Sequence, residues 1–107
     1  MKIIKLMADY QCFPLWEASP GVVGNIDPRD LPISEALQVR LLEWASVYDC
    51  TLDMNDPAFS GFECAELAQG FKKNGLELVT MLQTELGTEY SVIHRISGYV
   101  KAQNNLS

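Results

Sequence analysis

Residues 34–52, SEALQVRLLEWASVYDCTL, predict the first of the two helices on which the fold depends. At 100° per residue, six apolar side chains fall within one stripe about 100° wide. They are Leu37, Leu41, Trp44, Ala45, Tyr48 and Leu52. Ser34 is a suitable N-cap, and the helix dipole favours Glu35 in the first turn. The segment therefore predicts an amphipathic helix with a single buried face.

Residues 61–86 predict a second amphipathic helix. Ser60 and Glu63 form a Ser-x-x-Glu capping box before it, and Gly87 can terminate it. A glycine at position 75 lies on the apolar face, which predicts that another element approaches closely there; a break in the helix is the alternative. The predicted apolar face consists of Cys64, Leu67, Ala68, Phe71, Gly75, Leu78, Val79, Leu82 and Leu86.

Short runs of β-branched and apolar residues at 2–7 and 89–96 predict strands. Two strands alone would be marginally stable, so we expect a third short piece, either 10–16 or 99–102. The helices would cover one face of this sheet. We therefore predict an α+β fold in which two amphipathic helices pack on a small, mainly antiparallel sheet of two to three strands.

The length of 107 residues, with 48% hydrophobic and 21% charged side chains, predicts a single globular domain over residues 1–107. Residues 17–33 contain three prolines and two glycines and predict a long ordered loop. Asp27 and Asp30, each followed closely by a proline, are typical turn initiators within it. The polar end of the chain, 103–107, is expected to fray.

Negative charge is concentrated in one stretch of the chain. The protein has 14 acidic and 8 basic residues, and residues 41–71 contain six of the acids and none of the bases. The rest of the chain is therefore balanced, at eight of each. A localised, uncompensated charge is informative about partners rather than about the fold, and it points to a basic protein partner. The same charge disfavours direct binding of nucleic acid.

The six acids differ in how readily structure alone explains them. Glu63 and Glu66 lie at the start of the second helix, where the dipole stabilises carboxylates, and Asp56 suits a turn. Asp49 and Asp53 lie at the end of the first helix, where negative charge is unfavourable. Solvated surface acids are the alternative explanation. We predict a docking site that comprises Asp49, Asp53, Asp56, Phe59, Glu63 and Glu66.

The sequence predicts no metal site and no cofactor. The acids of residues 49–56 lack the glycine at position six and the glutamate at position twelve of a calcium-binding loop. The cysteines are too widely spaced for a zinc motif, and their odd number argues against a disulfide framework. They are Cys12, Cys50 and Cys64.

No pattern in the sequence identifies a catalytic centre, so we predict that the protein is not an enzyme. His94 is the only histidine, and a surface or structural role is the simpler interpretation. The alternative is a small enzyme that uses Asp9, Cys12 or His94, which would require these residues to share a cleft. A regulatory or assembly subunit, with the apolar part of residues 20–33 as its interface, is a further alternative.

The aromatic segment 10–16 and the start of the chain are the last informative features. Tyr10, Phe13 and Trp16 either pack in the core or anchor a partner, and the sequence leaves both alternatives open. No apolar run is long enough to span a membrane. The apolar stretch within residues 1–8 is too short for a signal peptide and Asp9 follows at once, so we expect a cytoplasmic protein.

Three segments resemble a family of small, acidic, uncharacterised bacterial proteins: DYQCFPLW at 9–16, GNIDP at 24–28 and TLDMNDP at 51–57. That resemblance implies no activity. The general character is also similar to immunity proteins of bacterial toxin systems, including contact-dependent growth inhibition. Those proteins are small, acidic and diverse, and many bind basic nuclease toxins. The second resemblance implies a protein-binding module that neutralises a cognate toxin, and it identifies no residue.

Overall fold

A computed structural model describes residues 2–22, 24–52, 61–96 and 100. Its four strands are β1 (Lys2–Leu6), β2 (Leu15–Glu17), β3 (Gly24–Ile26) and β4 (Tyr90–His94). Its two α-helices are α1 (Glu35–Asp49) and α2 (Ala65–Leu86). Single turns of 3-10 helix at Pro28–Asp30 and Gly87–Glu89 precede α1 and β4.

The strands form one mixed sheet in the order β3-β2-β1-β4. β2 is antiparallel to both β1 and β3, whereas β4 pairs with β1 in parallel, with Ile4 opposite Val92. The prediction of two to three mainly antiparallel strands therefore needs correction: the described residues contain four strands, and the longest pairing is parallel. The physical reason is the crossover through α1 and α2, which brings the chain back to the end of the sheet where β1 began.

β3 lies within residues 17–33, which the sequence predicts as a loop. Its pairing with β2 is reinforced by the Asn25 side chain. Asn25 Nδ2 donates to the carbonyl oxygens of Phe13 and Leu15 at 2.7 and 3.0 Å, and Asn25 Oδ1 accepts from Phe13 N at 2.8 Å. The strand has only three residues and one large apolar side chain, so local sequence contains little sign of it.

The predicted caps at the start of α1 and at the end of α2 are confirmed, whereas the start of α2 differs from the prediction. Ser34 Oγ accepts from Leu37 N at 3.2 Å, which confirms the cap of α1. Gly87 ends α2 with a φ of 78°, which confirms the predicted glycine cap at the end of this helix. However, α2 begins at Ala65 with Cys64 as its N-cap, so Glu63 precedes the helix instead of sitting inside it. Among the described residues, no helix is long and apolar enough to cross a membrane.

The core lies between the helices and one face of the sheet. Alternate residues of β1 point toward the helices and are completely buried. The buried cluster includes Ile4, Leu6, Leu15, Leu37, Leu41, Trp44, Phe71, Leu78 and Leu82. The predicted buried faces of both helices are therefore largely confirmed. Cys64 and Leu67 are exceptions: Cys64 is exposed, and Leu67 is 55% exposed and lines a surface groove described below.

α1 and α2 approach each other closely at Gly75. A Cβ atom at this position would lie 2.7 Å from Ile96 Cδ1 and 2.9 Å from Trp44 Cζ2. The indole of Trp44 is itself fixed, because its Nε1 donates to Phe71 O at 3.0 Å and its ring stacks on Phe71 at a centroid distance of 4.4 Å. α2 is continuous through this position, so the prediction of close approach is confirmed and the helix break is not observed.

Candidate partner-binding groove

A surface groove of about 550 Å³ lies between α1 and α2. The helices are antiparallel: Ser34 Oγ, before the start of α1, donates to Glu85 Oε2 near the end of α2 at 2.9 Å. At the other end of the pair, Gly61 N donates to Thr51 O at 2.8 Å. The groove begins at this second end and extends along both helices. Its volume falls in the range typical of binding pockets.

The groove has an apolar floor and two exposed apolar side chains on its walls. Its floor consists of buried residues, Trp44, Phe62, Phe71 and Leu78. Val47 of α1 and Leu67 of α2 line the groove and are 50% and 55% exposed. Gly70 also lines it, and a Cβ atom at Gly70 would meet nothing within 4 Å. The groove therefore presents apolar surface that the described part of the chain does not cover.

Carboxylates surround this apolar surface. Glu43 of α1, Glu66 of α2 and Glu63 just before α2 all line the groove, and all three are exposed. Of the described residues that line it, Arg40 is the only basic one, and its Nη2 lies 3.9 Å from Glu77 Oε2. The described lining residues therefore carry three negative charges and one positive charge, and the positive charge has a partner outside the groove.

Among the described residues, Glu43 and Glu66 take no part in the ion pairs that the structure forms. Apart from Arg40 and Glu77, the pair within the described ranges is Arg29 with Asp27, at 2.7 Å in the 3-10 turn before α1. The hydrogen bonds from the Arg29 guanidinium lower the pKa of the Asp27 carboxyl. In the same part of the chain, no lysine or arginine forms an ion pair with Glu43 or Glu66. Within these ranges, no ion pair therefore offsets the charge of either carboxylate.

Asp49 of the predicted docking site has a structural contact. Its Oδ1 accepts a hydrogen bond from Gln11 N at 2.9 Å, and Asp49 does not line the groove. Close by, Tyr10 stacks on Tyr48 at 4.6 Å, and its hydroxyl lies 2.8 Å from Thr51 Oγ1. These contacts hold the loop after β1 against the end of α1. They account for a carboxylate at a helix end, while partner binding by Asp49 stays a prediction.

The other predicted docking residues are divided between the groove and the undescribed segment. Glu63 and Glu66 lie in the groove together, whereas Asp53, Asp56 and Phe59 lie outside the described residues. Glu43 was not among the predicted docking residues. Its position one helical turn before Val47 places both side chains on one wall, and this spacing could have identified it.

The residues of the enzyme alternative lie in the loop between β1 and β2, for Asp9 and Cys12, and at the end of β4, for His94. Asp9 Oδ1 accepts from the adjacent Tyr10 N, and Cys12 N donates to the Asp9 carbonyl oxygen. His94 is exposed at the end of β4, opposite Leu6 in register. Within the described ranges, no cluster of three histidine, cysteine or carboxylate side chains could hold a metal ion.

The three aromatic residues of segment 10–16 occupy different surroundings. Tyr10 packs on α1 as described above, while Phe13 is 36% exposed. Trp16 lies opposite Lys5 on the sheet face that points away from the helices, and its Nε1 donates to Met7 O at 2.9 Å. None of the three lines the groove. None of the three belongs to the buried core, and a role of this segment as an aromatic anchor for a partner stays a prediction.

Residues 2–97 match the model of a protein family described as Serratia CdiI immunity protein-like. The matched range includes all four strands, both helices and every residue that lines the groove. Comparison with curated proteins gives no match.

Proposed function

The chain belongs to the Serratia CdiI immunity protein-like family, and from this premise we propose that it neutralises a cognate toxin through the groove between α1 and α2. One observation determines the choice of surface: exposed Glu43 and Glu66 line the same groove as the apolar floor. The proposed partner is a toxin domain with a basic surface. The expectation of a cytoplasmic location belongs to the same proposal.

The apolar side chains and the carboxylates of the groove would contribute differently to binding. Burial of Val47 and Leu67 against the partner would supply affinity, because desolvated apolar contacts at the centre of an interface dominate its energetics. The carboxylates would speed encounter and set the orientation of the partner. Inhibition would then follow from covering the toxin's active site or a face next to it.

The remaining predicted docking residues belong to the same proposal. Residues 53–60 lie between α1 and α2 in the sequence, and Thr51 and Gly61, the described residues on either side of this part of the chain, line the groove. We include Asp53 and Asp56 as negative charges and Phe59 as an apolar anchor. Asp49 is included as an additional negative charge whose Oδ1 also holds the Gln11 amide.

The test uses Glu66→Lys and a candidate toxin domain from the reading frame adjacent to this gene. We expect the wild-type association rate to fall steeply between about 50 and 500 mM salt, because screening weakens interactions between exposed charges. Glu66→Lys should lower the rate by about tenfold at low salt and flatten its salt dependence. Stopped-flow mixing measures both effects.

Glu89→Lys is the matched control, since it makes the same charge change at an exposed residue away from the groove. It should change the rate much less than Glu66→Lys does. A wild-type rate indifferent to salt would overturn electrostatic docking. Full protection of cells by Glu43→Lys/Glu66→Lys, with an unaltered rate, would assign toxin binding to another face.

A further inference from the structure

We infer that the groove receives an α-helix of the partner, which lies along α1 and α2 as a third helix with its backbone close to Gly70. The inference rests on the proposed function and goes further, because it specifies the secondary structure and the charge pattern of the segment that binds. It follows from the backbone chemistry of the walls, the length of the groove and the open space at one residue.

The first observation is that both walls of the groove are helices. Along most of the groove, wall residues of α1 and α2 belong to helices whose backbone groups are paired within the helix. An extended segment in the groove would therefore find few backbone partners for its own amides. A helix satisfies its own backbone internally and needs only side-chain contacts, as in other helix-in-groove complexes.

The second observation is the length of the groove. On α2 the lining runs from Glu66 to Leu78, about 18 Å at 1.5 Å per residue. On α1 it begins at Arg40 and continues to Thr51, just past the helix end, over about 17 Å on the same rise. Both walls match a partner helix of about three turns. A single inserted side chain would leave most of this length empty.

The third observation is the absence of a side chain at Gly70. Glycine in a helix interior is unfavourable relative to alanine, so its presence needs a reason. At Gly75 the reason is internal, because Trp44 fills the space above it. At Gly70 no atom of the described chain occupies that space, and the residue lines the groove. An external helix whose axis approaches to about 8–10 Å would occupy it.

The charges specify the partner helix further. Glu43 lies on the α1 wall and Glu66 on the α2 wall, with Val47 and Leu67 beside the floor between them. A helix that matches this arrangement has an apolar stripe facing the floor and lysine or arginine residues on both sides of the stripe. It is therefore a basic amphipathic helix.

The experiment compares Gly70→Ala and Gly70→Leu with wild-type protein for binding of the same toxin domain. Thermal unfolding of the free variants should occur at the wild-type temperature or above it, because the site is open and both residues favour helix. Affinity should fall with side-chain size, by about tenfold or more for leucine, because the added atoms displace the partner backbone. Gln69→Leu, at the adjacent position outside the groove, should bind like wild type.

The outcomes separate this inference from the proposed function. If Glu66→Lys weakens binding and Gly70→Leu does not, the result supports the acidic groove as the binding site and contradicts the inference that a helix inserts into it. If neither variant weakens binding, the proposed site itself fails. Hydrogen exchange should show continuous amide protection over about three turns of one toxin segment upon binding. Concentration-dependent self-association that Gly70→Leu abolishes would assign the groove to a second copy of this chain and overturn the inference.

Discussion

Gly70 and Gly75 lie five positions apart in the same helix and have opposite surroundings. A Cβ atom at Gly75 would collide with Ile96 Cδ1 and Trp44 Cζ2, whereas a Cβ atom at Gly70 would meet nothing within 4 Å. The Ile96 methyl could rotate away. The Trp44 ring could not, because its hydrogen bond to Phe71 O and its stacking on Phe71 hold it in place. The two glycines therefore form a matched pair for mutation.

We expect Gly75→Ala to destabilise the protein. Overpacking against the fixed indole costs about 1–3 kcal/mol, which exceeds the gain in helix propensity of up to about 1 kcal/mol. Gly70→Ala is the control and should stabilise the protein by up to about 1 kcal/mol. Urea unfolding of both variants measures the free energy of unfolding. A similar response at the two positions would contradict the close contact at Gly75.

At the scale of elements, α2 protects the edge of the sheet. β4 is an edge strand among the described strands, and its outward backbone groups could pair with another chain. The Gln83 amide from α2 occupies them: Val92 N donates to Gln83 Oε1 at 2.9 Å, and Gln83 Nε2 donates to Tyr90 O at 2.8 Å. One side chain thus bonds to the strand as a neighbouring strand would.

We expect Gln83→Leu to open this edge. Loss of hydrogen bonds to partly buried backbone groups should lower the free energy of unfolding by about 1–3 kcal/mol. The variant should also self-associate at high concentration, because the β4 edge would be available for pairing. Sedimentation velocity over a concentration series detects the association. Gln69→Leu, an exposed glutamine of the same helix, is the control and should remain unchanged in both measurements.

At the scale of the whole molecule, the sheet joins the two ends of the described chain. The parallel pairing aligns Lys2–Leu6 with Tyr90–His94, and α1 and α2 lie between these strands in the sequence. Ile4 and Leu6 are buried under both helices and contribute to the same core as Leu37 and Leu82. The helices and the sheet therefore depend on each other for stability, and we expect them to unfold together.

A chain that ends after Leu86 should fail to fold, because it lacks the strand that pairs with β1. A chain that ends after Ile96 is the control. It retains β4 and loses, among the described contacts, the bridge between Phe62 and Val100. Circular dichroism and urea unfolding distinguish the two: we expect a cooperative transition only for the longer chain. A cooperative transition in the shorter chain would show that the helices form a core without β4.

Local chemistry made part of the fold predictable. The cap at Ser34, the glycine cap at Gly87 and the apolar periodicity of both helices are determined by neighbouring residues, so the sequence indicated them. The parallel partner of β1 was not predictable in this way, since it depends on where a long crossover returns the chain. β3 was missed because it has only three residues and one large apolar side chain, and the Asn25 side chain that reinforces its pairing with β2 gives no apolar pattern.

The candidate site was predictable only in part, for a similar reason. Clustering of charge in the sequence indicated Glu63 and Glu66, which the groove brings close to Glu43. The groove itself results from the packing of two helices, and its open space at Gly70 has no counterpart in the sequence pattern. Charge alone also could not separate Asp49, which holds the Gln11 amide, from acids that face the groove.

The positions of the two tryptophans allow binding at the groove to be followed by intrinsic fluorescence. Trp44 forms part of the groove floor in contact with Phe71, whereas Trp16 lies on the sheet face that points away from the helices. Replacing Trp16 with phenylalanine would leave a single indole at the proposed interface. The emission spectrum of Trp44 would then change when a partner helix binds in the groove, and no added dye would be needed.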